Sequence, residues 1–240
     1  MAERVPVREI NGAGGRRLPT RRLNPAGPTA PQSSRLPFMR ETDNELFTLL
    51  TTAYADCAAR IRLVRSDQWT DGTPCEKWDV RQLVGHLVQG NLIYTALMHG
   101  GSADGFLTQL DQDPLGDHPL ADYERASAAM LTEFRVPGAL DRTVDYPFAP
   151  LTARQLLGLM ITDTLTHTWD LSRAIGADDQ LDGHLVDWVM GNVDWIYAGV
   201  EESPLAQTRS DLYYGEPVPS PPSGPDSPQD RLLRLMGRRP

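Results

Sequence analysis

The chain has 240 residues, of which 40% are hydrophobic and 23% charged, with a formal net charge of −9. A chain of that size and mixture buries a real core without staples, and no apolar run approaches the roughly 18 residues of a spanning helix, which argues against a membrane protein. Residues 1–40 carry eight Arg against two Glu, leaving 15 basic and 30 acidic residues in the body, a balance that repels polyanions and excludes nucleic acid as the natural partner. The two cysteines, Cys57 and Cys75, make no disulfide framework. With no apolar secretion signal at the N-terminus, they read as thiols of a cytoplasmic protein.

In chain order, residues 1–38 hold six Pro and four Gly with little apolar periodicity, the composition of a disordered, basic extension. A membrane- or nucleic-acid-touching tail, an Arg-rich targeting peptide and a start codon placed too early all fit. The last fits best, with Met39 as the alternative first residue, because helical periodicity begins directly after it. Leu46, Leu49, Leu50, Ala53, Tyr54, Cys57, Ile61 and Val64 recur at three and four, predicting a helix over about Asp43–Arg65. A second is expected from Asp79, whose spacing to Gln82 matches a capping box, towards Met98, ended by Gly100 and Gly101. A third spans about Ala121–Phe134. Thr143–Phe148 is the single β-like piece. A fourth helix begins at Thr152, with Gln155 three residues on, and runs to Ile175 before Gly176; it is apolar nearly all round. A fifth covers Asp182 to about Tyr197. The absence of alternating strands and helices points to an all-α fold: a four-helix bundle over residues 39–200 with an additional helix. Residues 201–240 read as a Pro-rich strap ending in a short docking helix around Leu232, Leu233, Leu235 and Met236.

Three features need a chemical explanation. Asp163 and His167 sit four apart within the most apolar helix, so their side chains share one face. They are either a buried Asp–His hydrogen bond tying helices together or two ligands converging on one ion. His86, between Gly85 and Gly90 on the second helix, is either a satisfied core residue or the third ligand such a pair needs. Two His and one carboxylate leave a fourth position open, the pattern of a catalytic metal site. The loop Thr73–Asp79 places Cys75 near a helix start, as a buried structural thiol or an activated one. Trp78 and Trp169 are core residues or pocket walls. Asp170 is an acceptor for an imidazole N–H behind the ligands or a surface partner of Arg173. His99, His118 and His184 carry no assigned chemistry.

The stretch Thr-Pro-Cys-Glu-Lys-Trp-Asp-Val-Arg-Gln-Leu-Val-Gly-His-Leu at 73–87, followed by Asp163-x-x-x-His167-Thr-Trp-Asp170-Leu, resembles the actinobacterial metal-binding family related to the N-terminal domain of mycothiol-dependent maleylpyruvate isomerase, in the DinB-like superfamily. The closing Pro228–Pro240 segment is similar to that family's tail. The resemblance implies a DinB-like four-helix bundle holding a divalent ion through His86, Asp163 and His167, zinc first, with nickel and iron as alternatives. In the isomerase the acid is commonly Glu, one methylene longer than Asp163. The isomerase also has a further C-terminal domain, for which the Pro-rich residues after the bundle are too few. The activity implied is therefore a metal-dependent thiol S-transferase or thiol-assisted isomerase acting on a small electrophile, with mycothiol as cosubstrate and substrate entering beside Trp169. The other readings are a non-catalytic small-molecule-binding or stress-response protein, and a natural-product tailoring enzyme with the metal as Lewis acid. A homodimer through an exposed helix face fits any of these.

Overall fold

The computed structural model describes residues 42–76, 78–109, 112–200, 217–220 and 226–240. The basic extension 1–38 and most of the Pro-rich strap lie outside the described residues. Most of the long helices start where a side chain satisfies their first free N–H groups. Helix α1, Asp43–Arg62, opens with a Thr42/Glu45 capping box, and α2, Val80–Met98, with the one expected at Asp79 and Gln82. A short α3, Ala103–Gln109, follows, then α4, Pro119–Phe134, with proline at its first position. Helix α5, Ala153–Ile175, begins with the Thr152/Gln155 capping box and ends at Gly176, whose φ of 68° is the left-handed conformation that glycine adopts without strain. Helix α6 covers Gly183–Ile196 and α7 Pro228–Leu235.

The packing closes into a ring. Helix α1 lies against α4 and α5, and α2 against the same two, so α1, α2, α4 and α5 form a four-helix bundle. Helix α6 packs on α5, and α7 on α6. The fold is all-α, with one antiparallel pairing of β1, Thr143–Val144, and β2, Leu151–Thr152. Leu50, Leu83, Met130, Leu156, Leu157 and Leu165 fill the centre of the bundle. The tightest helix approach is at Gly158, where an added Cβ would stand 2.9 Å from Cγ1 of the fully buried Ile196.

Helix α5 is the central element, buried along most of its length although it is rich in threonine. The hydroxyls of Thr162, Thr166 and Thr168 donate to carbonyls one turn back at 3.0, 2.8 and 2.7 Å, so their burial leaves no unpaired group.

The structure differs from expectation at the edges. Helix α1 stops at Arg62 rather than Arg65, because Gln68 folds back: its amide oxygen accepts from Arg65 N and its nitrogen donates to Ile175 O at 3.1 Å, tying the turn to the end of α5. The β-like piece is two residues long, since Tyr146 and Phe148 turn inward to join Tyr94 and Phe106 in an aromatic cluster. Helix α3 and the 3-10 turn Ala139–Asp141 were not anticipated. No helix among the described residues is long and apolar enough to cross a membrane.

Candidate metal centre

The loop before α2 is locked by its own hydrogen bonds. Thr73 Oγ1 donates to Trp78 O at 2.8 Å and accepts from Cys75 N at 3.1 Å, while Trp78 N donates to Cys75 O at 2.7 Å. This turn places the Trp78 ring against His86, with centroids 4.4 Å apart, and within 5.6 Å of His167. Helices α2 and α5 face each other, so His86 meets the Asp163/His167 pair across the bundle.

His86 Nε2 lies 3.5 Å from Asp163 Oδ2, and His167 Nε2 lies 3.3 Å from Asp163 Oδ1. These separations exceed the roughly 2.9–3.0 Å usual for N–H···O hydrogen bonds. They run to the two different oxygens of Asp163, and the donor atoms of the three residues lie within 4.8 Å of one another, a grouping that could hold one divalent ion. Burial pushes the Asp163 carboxyl up, but the imidazoles of His167 and His86 overcome that and hold it well below the usual carboxylate range. Burial likewise acts to lower His167, but the charge of the Asp163 carboxylate, helped by the hydrogen bonds that the ring makes with Asp163, Asp170 and Cys75, holds its pKa well above the ordinary histidine value. A divalent ion at Nε2 would take the place of a proton there.

The other edge of His167 is built differently. Its Nδ1 is 2.9 Å from Asp170 Oδ2, and Asp170 is fully buried. Burial raises the Asp170 carboxyl, while the hydrogen bonds from His167 and Arg238 bring it down to about 2. A carboxylate only accepts, so Nδ1 carries the hydrogen and donates, leaving Nε2 to face Asp163. Cys75 Sγ donates to the same Asp170 oxygen at 3.2 Å and stands 3.9 Å from His167 Nδ1.

Two groups of side chains thus share His167 with metal-like spacing: His86, Asp163 and His167 on one edge, and Cys75, His167 and Asp170 on the other. Charge separates them. The second already holds a cation, because the Arg238 guanidinium donates to Asp170 Oδ1 at 3.0 Å and Oδ2 at 2.7 Å, and to Cys75 Sγ at 2.9 Å. The first combines one carboxylate with two imidazoles, a donor set suited to zinc and other first-row metals. Its side chains are also the accessible ones: His86 and Asp163 are each 27% exposed, against 4% for His167.

His86, Asp163, His167, Asp170, Cys75 and Trp78 are thus brought together. Trp169 is not. Two residues beyond His167 on α5 it points about 200° away; it is 2% exposed and covered by the Arg173 guanidinium 5.5 Å above its ring, so it lines no entrance to this site. Arg173 pairs with Asp179 at 3.1 Å, leaving Asp170 to Arg238. Sequence reasoning missed Arg238. The one available signal was the buried Asp170, which demands a cation, and nothing local says which of the terminal arginines supplies it.

Comparison with known proteins identifies the family to which the chain is related. Residues 50–172 match the family described as the mycothiol maleylpyruvate isomerase N-terminal domain. An uncharacterized protein found in two strains of Mycobacterium tuberculosis is 32% identical over 129 residues, which is 53% of this chain. The aligned part spans 66% of that relative's length. The crystal structure of the mycothiol-dependent maleylpyruvate isomerase superposes with a TM-score of 0.50 at 16% identity, covering 61% of this chain and 67% of that one, a likeness of fold. With the family match covering half of its length, this chain belongs to the mycothiol maleylpyruvate isomerase N-terminal domain family.

Proposed function

We propose that the protein is a divalent-metal-dependent thiol S-transferase or thiol-assisted isomerase, using a low-molecular-weight thiol of the mycothiol type on a small electrophile. The observation that supports the reading is the grouping of His86, Asp163 and His167, whose donor atoms lie within 4.8 Å of one another, with the first two side chains each 27% exposed. A divalent ion such as zinc, held by His86, Asp163 and His167, would supply Lewis acidity that lowers the pKa of a thiol beside it. The chain's own contributions are positional. Asp163 brings the negative charge that offsets the ion. His167 is held by Asp170 so that Nε2 points outward, and Trp78 covers one face of His86, narrowing the approach to the site. Membership of a mycothiol-related family supports a small thiol as the partner.

The test is metal content by mass spectrometry, wild type beside His167→Ala, followed by thiol consumption with a panel of electrophiles. About one equivalent of metal in the wild type, lost in the variant, together with metal-dependent loss of thiol, supports the reading. Metal without thiol consumption would turn it to a metal-dependent binding protein, and no metal in either folded chain would remove the site.

A further inference from the structure

The C-terminal segment reaches the centre of this site from far along the chain. Helix α7 opens with a Ser227/Asp230 capping box and packs on α6. Gln229 pins it to the loop between α5 and α6, accepting from Leu181 N at 2.9 Å and donating to Asp179 O at 3.0 Å. Leu232 and Leu233 are fully buried. The helix is closed by Gly237, with φ of 75°, and by Arg238 N donating to Leu233 O at 2.8 Å. This closure turns the Arg238 side chain inward, where it is only 8% exposed, an unusual depth for an arginine.

The guanidinium is fixed on three sides. Nη1 donates to Met236 O at 2.8 Å, Nε and Nη2 grip the Asp170 carboxylate, and Nη2 also reaches Cys75 Sγ. Asp170 Oδ2 thereby receives Arg238, Cys75 and His167 together. We propose that Arg238 is a positioning residue for His167: by holding Asp170 in one rotamer it fixes the imidazole with Nδ1–H inward and Nε2 towards Asp163 and His86. Resting on the metal reading above, this makes the tail beyond the bundle part of the apparatus that sets metal affinity. Arg238 lies outside the matched span 50–172. It acts through Asp170, as outer hydrogen-bond partners orient histidine ligands in metal sites generally. The rigid fork is essential to the argument, since a carboxylate gripped by two nitrogens of one plane cannot swivel, whereas a single ammonium leaves it free to turn.

The experiment uses the full chain with 15N-labelled histidine, stripped of metal by a chelator. A hydrogen-bonded ring N–H of His167, shielded from solvent, gives a slowly exchanging downfield proton signal, assigned by its absence in His167→Ala. The wild type is expected to show it. Arg238→Ala and Arg238→Lys are expected to lose it to exchange while retaining helical circular dichroism. Zinc titration against a competing dye is expected to show affinity lowered about 10- to 100-fold in both variants. Persistence of the signal in the variants overturns the proposal, as does its loss with zinc affinity unchanged. Should Arg238→Ala fail to fold, Arg238→Lys, which retains the charge, decides by the same two readouts. A wild type that binds no zinc refutes the metal reading, and the ring signal still decides whether Arg238 positions His167.

Discussion

Replacing Asp163 by Asn separates the metal reading from a merely structural cluster. The substitution keeps the shape of the side chain between His86 and His167 and removes the single negative charge among the three donors. Removing a partner behind a ligand costs about 10- to 100-fold in metal affinity, so losing the anionic ligand itself is set at about 100-fold or more. Zinc supplied at a hundred times the wild-type dissociation constant stabilises the wild type by about 2.7 kcal/mol. For a chain of 240 residues each kcal/mol moves the melting temperature by about 2–4 °C, giving a rise of about 5–11 °C. At the same zinc concentration Asp163→Asn is no more than half saturated, gains about 0.4 kcal/mol and rises by about 1 °C. Each chain is melted with zinc and with chelator by scanning calorimetry, so the variant's own loss of stability cancels in the difference. A wild type whose melting temperature ignores zinc, or two chains that rise equally, would refute the assignment of Asp163, His86 and His167 to one ion.

Other outcomes follow from the same coordinates. Asp170 has its carboxyl brought from 3.8 to about 2 in the folded chain, so its contribution to stability is fully present above about pH 4 and disappears as pH falls towards 2. The amount is about 2 kcal/mol, and urea melts of metal-free wild type between pH 5 and 2 should lose stability more steeply than those of Asp170→Asn; equal slopes would count against the Asp170 network. Cys57 is fully buried, with its thiol pushed up to about 11 by burial, whereas Cys75 is partly exposed; one thiol equivalent should react with a disulfide reagent in the native protein and two in denaturant. Gly158→Ala gains about 1 kcal/mol of helix propensity but drives a Cβ against Ile196 Cγ1, at a cost of about 1–3 kcal/mol. A lowered melting temperature is expected, and a raised one would show that α5 and α6 separate easily.

The parts of this molecule that could be read from its residues are those governed by neighbours within a turn. The starts of α2 and α5 follow from Asp79 with Gln82 and Thr152 with Gln155, and the stop of α5 from Gly176, because capping is decided over three or four positions. Asp163 and His167 were visible as a pair for the same reason. His86 was legible only as one of two alternatives, core residue or third ligand, since helical periodicity does not say which face of α2 meets α5. What stayed hidden depends on distant contacts. Helix α1 is shortened by Gln68 reaching Ile175 O across 107 positions, and Arg238 meets Asp170 across 68. For Trp169 the sequence leaves core and pocket wall as alternatives, and helical geometry favours the first, since two residues beyond His167 lies on the opposite side of α5.

The hydroxyls of Thr162, Thr166 and Thr168 spend their hydrogen bonds on carbonyls of their own helix, which already receive N–H groups. Losing the Thr162 or Thr166 hydroxyl leaves a carbonyl that keeps its N–H, whereas Thr168 also meets the Cys57 thiol. Thr-to-Val exchanges at the first two positions therefore shift the polarity of the buried helix in single steps, while the donors Asp163 and His167 and the scaffold around them stay as they are.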